Sequence, residues 1–270
     1  MACIVSVSRV HKKALASGRL EHLKDLIMNR ASTLGAVAIG SLSAIAFWKL
    51  VRPWYLTWDA SDLELARPMP LDERVLDPTL STTMAITVTA TPEAIWPWLG
   101  QMGEPPRAGF YSYTWIERLA GMHITNAAVV SPQIPVLQIG DALDRAGSMI
   151  VLGIESDRFL VLGPADSVEF MKCTWAIGLY PVNEQTTRLV MRVRARFDYR
   201  RMLAVLPPFV WPMWLFIEPG SFIMQRKMLL ELKRRAESTM TNSRTRTVDP
   251  VKPLVGDVDP LVEAPTTLPG

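Results

Sequence analysis

The densest run of side chains able to do chemistry is Phe110-Tyr111-Ser112-Tyr113-Thr114-Trp115, where aromatic rings alternate with hydroxyls. Tyrosine and tryptophan offer an apolar body with a polar tip, which suits either a binding rim or a packing cluster that pins a short helix. His123, with Asn126 three residues on, has the chemistry for proton transfer, but a histidine with no placed partner reads as a loop residue. Asp141 follows Gly140 in a turn, where its carboxylate suits an Asx hydrogen bond. Cys173 alternates with Thr174 along a strand and reads as a small buried residue rather than a nucleophile. A nucleophile elbow, a phosphate-binding glycine loop, a dinucleotide-binding turn and a His-Glu-x-x-His zinc helix are all absent from the sequence. No residue is therefore assigned a catalytic role, and neither a cofactor nor a metal is called for.

The elements that must position these groups follow from periodicity. Thr83 to Thr89 alternates with period two and sets Ala85 apart from Met84, Ile86 and Val88, as a strand does. Thr91-Pro92-Glu93 has a capping residue followed by proline at the first helical position, which opens a helix to about Met102 that Pro97 kinks. Tyr111 to Leu119 reads as a second short helix. Strands follow at 149–154, 158–162, 172–180 and 187–197, with Trp175, Ile177 and Leu179 inward on the third of these. On the fourth, Arg188, Arg192, Arg194 and Arg196 alternate with Leu189, Met191, Val193, Ala195 and Phe197, so one face is buried and the other is expected to be wet. From Glu218 to about Glu237, Met224, Met228, Leu232 and Ala236 recur every four residues beside Leu229, the stripe of an amphipathic helix.

Around this body lie segments of other character. Residues 1–30 are basic, and residues 31–51 form an apolar helix nearly free of charge, long enough to cross a bilayer. Lys49 and Arg52 flank it, and Trp48, Trp54, Tyr55 and Trp58 cluster where an interfacial aromatic belt would stand. Arg9, Lys12, Lys13, Arg19, Lys24 and Arg30 precede the helix, a bias that keeps the N-terminus cytoplasmic and sends the domain to the outer side. A cleaved signal peptide, with Ala44-Ile45-Ala46 as its small-residue site, and a buried core helix are the competing readings. Residues 52–80 read as an acidic, proline-containing linker, and 81–237 as the folded domain. Within it, 202–217 is an apolar insert whose three prolines argue against a second span and whose Trp211 and Trp214 suit a membrane surface. The tail, 238–270, is polar and proline-rich and reads as disordered.

Composition limits the function classes. With 49% hydrophobic and 20% charged residues among 270, disorder along the whole chain is excluded. A net charge of +3 is too balanced for a nucleic-acid binder, and two cysteines supply neither a disulfide framework nor a cysteine-rich zinc site. Oligomeric state is left open.

Strand, two short helices, a run of antiparallel strands and one long C-terminal helix is the order of an α+β helix-grip fold. The chain resembles the SRPBCC (START-like, polyketide cyclase/lipid-transfer-like) superfamily, and within it a membrane-anchored bacterial branch. Ala90 to Leu99, Arg107 to Glu117, Ile139-Gly140-Asp141, Thr174-Trp175-Ala176, Thr187-Arg188-Leu189 and Phe222 to Leu229 carry the likeness. The resemblance implies an apolar cavity between a curved sheet and the long helix. Tyr111, Tyr113, Trp115, His123, Asn126, Trp175, Met224 and Met228 are then the candidates to line it, methionine suiting such walls because its thioether adapts to varied shapes. The implied partner is a hydrophobic small molecule or lipid, at a membrane. A cyclase/dehydratase-type enzyme on a polyketide-like or aromatic substrate, and an envelope scaffold with a collapsed cavity, are the alternatives.

Overall fold

The structure is a computed structural model and describes residues 28, 30, 32–33, 35–119, 121–164, 171–198, 200–201, 204 and 214–248. Helix α1 (Gly35–Leu56) is long and apolar enough to cross a membrane. Residues 35–51 are exposed throughout, including Val37, Ile39, Leu42, Ile45 and Leu50, so the segment is not a core helix of the domain. Near its end the ladder widens to a π-turn over Phe47–Val51, with the Arg52 amide donating to the Phe47 carbonyl. Pro53 explains this, because it has no N–H to offer the carbonyl four residues back.

A five-stranded antiparallel sheet follows: β1 (Leu80–Val88), β2 (Met149–Glu155), β3 (Phe159–Pro164), β4 (Met171–Asn183) and β5 (Thr186–Phe197), in the order β1-β5-β4-β3-β2. One face carries Met84, Ile86, Val88, Leu160, Leu162, Ile177, Leu189 and Met191 into the main core. Helices α3 (Pro92–Gly100) and α5 (Trp214–Val248) close that core with Ile95, Trp98 and Leu99 from one and Met228, Leu229, Leu232 and Ala236 from the other. Each large apolar side chain so buried stabilises the fold by roughly 1.5–3 kcal/mol. The architecture is α+β, with the long C-terminal helix gripped by the sheet as the element order implied.

Three expectations are corrected. The face of β5 expected to be wet is covered over Arg188, Arg192 and Arg194 and stays exposed at Arg196. Arg192 is 4% exposed. Its guanidinium donates to Thr83 Oγ1, Asp72 Oδ2 and the carbonyls of Glu64, Leu65 and Arg67 at 2.7–3.0 Å. The expected linker supplies all of those partners except Thr83 of β1, through α2 (Asp62–Ala66), the Arg67 that ends it and a 3₁₀ turn at Asp72–Val75. Ser61 caps α2 in a reciprocal box with Glu64, and Met69 buries against Ala85, Val161, Ala176 and Val190 on the second face of the sheet. Periodicity identified which residues share that face but carried no information on what lies over it.

The second correction is that Tyr55 and Trp58 are not in an exposed belt. Tyr55 is buried against Phe222, and Trp58 packs on the core beneath Arg226, while Trp48 and Trp54 are exposed. Third, α5 begins before Glu218 and runs past Glu237 to Val248. The hydroxyls of Ser238 and Thr239 turn back onto the Arg235 carbonyl instead of breaking the helix, and no proline intervenes before Pro250. Nearly all of residues 1–30, most of the apolar insert including Trp211, and residues 249–270 lie outside the described residues; Trp214 is described only as the first residue of α5.

Candidate functional site

Helix α4 (Thr114–Leu119) and the loop before it stand opposite α5, and the sheet forms the floor between them. The loop is held by its own backbone chemistry. Tyr111 has φ +58, a left-handed conformation that costs a non-glycine residue energy unless the surroundings enforce it. Asn126 enforces it, accepting from the Tyr111 amide at 2.6 Å and donating to the Ser112 carbonyl at 2.9 Å. Gly109, at φ +87, leaves the space this needs, since a Cβ there would meet Asn126 Oδ1 at 2.5 Å. Ser112 then donates to the Met224 carbonyl at 3.1 Å, tying the loop to α5.

Between these walls is a chamber of about 300 Å³. Met149, Cys173, Trp175 and Val193 line it from the sheet, Phe110, Ser112, Glu117 and Met122 from α4 and its flanks, and Ser221, Met224, Gln225 and Met228 from α5. Its rim lies at Ser221, which is exposed, whereas Met228 at the far end is buried. One turn before Ser221, Glu218 accepts a bidentate pair from Arg52 at 2.8 and 2.9 Å and a hydrogen bond from the Tyr55 hydroxyl. Arg52 and Tyr55 belong to the last turns of α1, so the rim stands next to the junction with the apolar helix.

Of the residues proposed for the cavity, Trp175, Met224 and Met228 line it. The others do not. Tyr111 is fully buried behind the wall, donating its hydroxyl to the Trp98 carbonyl at 3.0 Å and accepting from Gln101 at 2.9 Å. Burial pushes its phenol up to about 12, against the opposing pull of Gln101 and Arg235, so it stays neutral at physiological pH. Tyr113 stands under Lys227 at 5.8 Å, and Trp115 is 61% exposed. His123 is exposed, and its backbone amide is taken by the buried Glu104 carboxylate. Asp141 accepts from the Gln138 amide at 2.9 Å, three residues before it, rather than from the amide two residues on that an Asx turn uses. Cys173 lines the chamber as a thiol, burial pushing it up to about 11.

The residue that the motif search passed over is Glu117. It is 1% exposed, neither carboxyl oxygen has a hydrogen-bond partner, and burial raises its pKa. Gln225 Oε1 and Trp175 Nε1 are also buried in the chamber wall without partners. In the sequence Glu117 is one acid on a short helix with Arg118 beside it, and no spacing or partner sets it apart. The signal that identifies it is spatial: a carboxyl lining an apolar chamber with no cation opposite among the described residues.

Fold and chamber together define a helix-grip domain with an apolar internal cavity, joined at its rim to a helix of membrane-spanning length. No protein-family model and no curated protein matches the chain. Similar solved structures include the Polyketide_cyc-like protein Cgl2372 from Corynebacterium glutamicum, at 11% identity and TM-score 0.37, the match covering 60% of this chain and 94% of that one. Protein NE0264 from Nitrosomonas europaea is 12% identical with TM-score 0.33, covering 63% of this chain and 99% of that one. A conserved protein from Geobacillus kaustophilus is 15% identical with TM-score 0.31, covering 59% and 97% respectively.

Proposed function

We propose that the domain binds a hydrophobic small molecule or lipid in the chamber while α1 holds it at a membrane. The observation that carries this reading is the position of the chamber: a mainly apolar space of about 300 Å³ whose rim lies one helical turn from the Arg52–Glu218 clamp. A volume of this size is at the lower end of small-ligand pockets. An exposed helix carrying Val37, Ile39, Leu42 and Ile45 needs an apolar surrounding, and a bilayer supplies it. The basic residues before the helix favour a cytoplasmic N-terminus, which puts the domain on the outer side.

The cyclase/dehydratase reading needs acid–base groups inside the cavity; Tyr111, Tyr113, His123 and Asp141 do not line the chamber, and Glu117 is the one carboxyl among the described residues that does. The scaffold reading required a collapsed cavity, and the chamber counts against it. Native mass spectrometry of the full chain released from its membrane tests the proposal. A co-purified lipid or apolar ligand on a chain that keeps residues 1–51 is the expected result. An empty domain that also takes up nothing from a panel of fluorescent lipids would remove ligand binding, and a mature chain beginning after Ala46 would remove the anchor.

A further inference from the structure

The polar groups of the chamber are mismatched with one another, and the mismatch has a sign. Glu117 contributes two acceptor oxygens and Gln225 one, all buried and none with a donor. Among the described residues, no lysine, arginine or histidine side chain lines the chamber. A buried carboxyl without a counter-charge gives up its ionised form unless a cation joins it, so the site is incomplete as it stands. Phe110 and Trp175 line the same chamber with ring centroids 6.3 Å apart, and the face of an aromatic ring attracts a cation.

We propose that the occupant is a cationic amphiphile, a chain or ring system carrying a primary amine that seats on Glu117 and Gln225. This rests on the chamber being a ligand site and specifies which ligands enter it. An ammonium group brings the missing positive charge and enough N–H donors for all three orphan oxygens. An alcohol brings one donor and no charge, and a carboxylate adds a second anion. The apolar body of the ligand lies along Met122, Met149, Met224 and Met228, whose flexible thioethers admit more than one shape. The buried Trp175 Nε1 lacks an acceptor, and a hydroxyl or carbonyl oxygen near the amine would fill it.

Decylamine, decanol and decanoic acid share one chain and differ only in the head group. Their binding to the full chain in nanodiscs, with empty nanodiscs subtracted, is compared by calorimetry for the wild type and Glu117→Gln. Decylamine should bind at least about tenfold more tightly than the other two. Glu117→Gln should erase that margin while changing decanol binding by less than about twofold. The variant should melt no lower than the wild type, because it removes an unpaired buried carboxyl, and its melting curve serves as the folding control. Equal binding of decanol or decanoic acid, or amine binding that survives Glu117→Gln or is lost with decanol binding, overturns the amine and leaves the cavity reading standing. Failure of all three chains to bind overturns both.

Discussion

Glu64 sits between two opposed influences whose outcome sets how the domain responds to acid. Burial alone would raise its pKa. Hydrogen bonds from Arg188, at 2.7 and 3.2 Å, and from the backbone and hydroxyl of Ser61 outweigh this and hold the carboxyl at about 2. A carboxylate depressed in the folded state adds stability that is fully present above its unfolded value near 4.5 and is lost as pH falls toward 2. At about 1.4 kcal/mol per pKa unit the upper bound is roughly 3 kcal/mol. Glu64→Gln should therefore lower stability at neutral pH by about 2–3 kcal/mol and converge with the wild type near pH 2, as read from melting curves across that range. Arg192 poses the same question with more partners. Arg192→Met leaves Asp72, Thr83 and three carbonyls without their donor and should cost about 3–5 kcal/mol in urea denaturation. Arg192→Lys should recover only part of that loss, since one ammonium cannot reach acceptors spread around a planar fork. The arginine row itself was legible as a period of two in the sequence; its partners, more than a hundred positions earlier in the chain, were not.

At the scale of elements, segment 57–79 is a strap across the sheet rather than a spacer. Trp58 accepts from the amide of Ala85 on β1, and Arg188, Arg192 and Arg194 each donate to groups of the strap. This covers an edge strand and the polar face of β5 at once. The strands were readable because apolar and polar residues alternate in them. The strap was not, since its prolines and acids look the same whether they contact water or arginine. Just ahead of the strap, the end of α1 is tied to α5 through Arg52, Tyr55 and Glu218, each of the ionic pair about one quarter exposed. Glu218→Gln weakens that tie without opening a hole in the core. It should cost only about 1 kcal/mol of global stability, yet hydrogen exchange at Thr57 to Ser61 and at the first turns of α5 should rise clearly. Unchanged exchange in both segments would mean that the clamp does not couple them.

At the scale of the whole molecule, the apolar residues that the structure describes divide among three destinations: a helix exposed from Gly35 to Val51, a core gripped by the sheet, and walls around a chamber. Sequence patterning separated the first two because a span and a stripe have different periods. It could not find the third, since Met224 and Met228 on a helix stripe look alike whether they meet other side chains or a gap. Glu117 was hidden for the complementary reason, that one acid has no period at all. The chamber therefore calls for a test that fills it without disturbing its polar groups. Val193 projects into it from β5 and is only partly buried, so Val193→Phe adds bulk to open space rather than to a packed contact. If the chamber is a ligand site, this variant should melt at or slightly above the wild-type temperature and lose bound ligand in native mass spectrometry. A chamber that repacks in solution would respond differently. Overpacking would then lower stability by about 1–3 kcal/mol, and ligand retention by the filled variant would place the binding site elsewhere on the molecule.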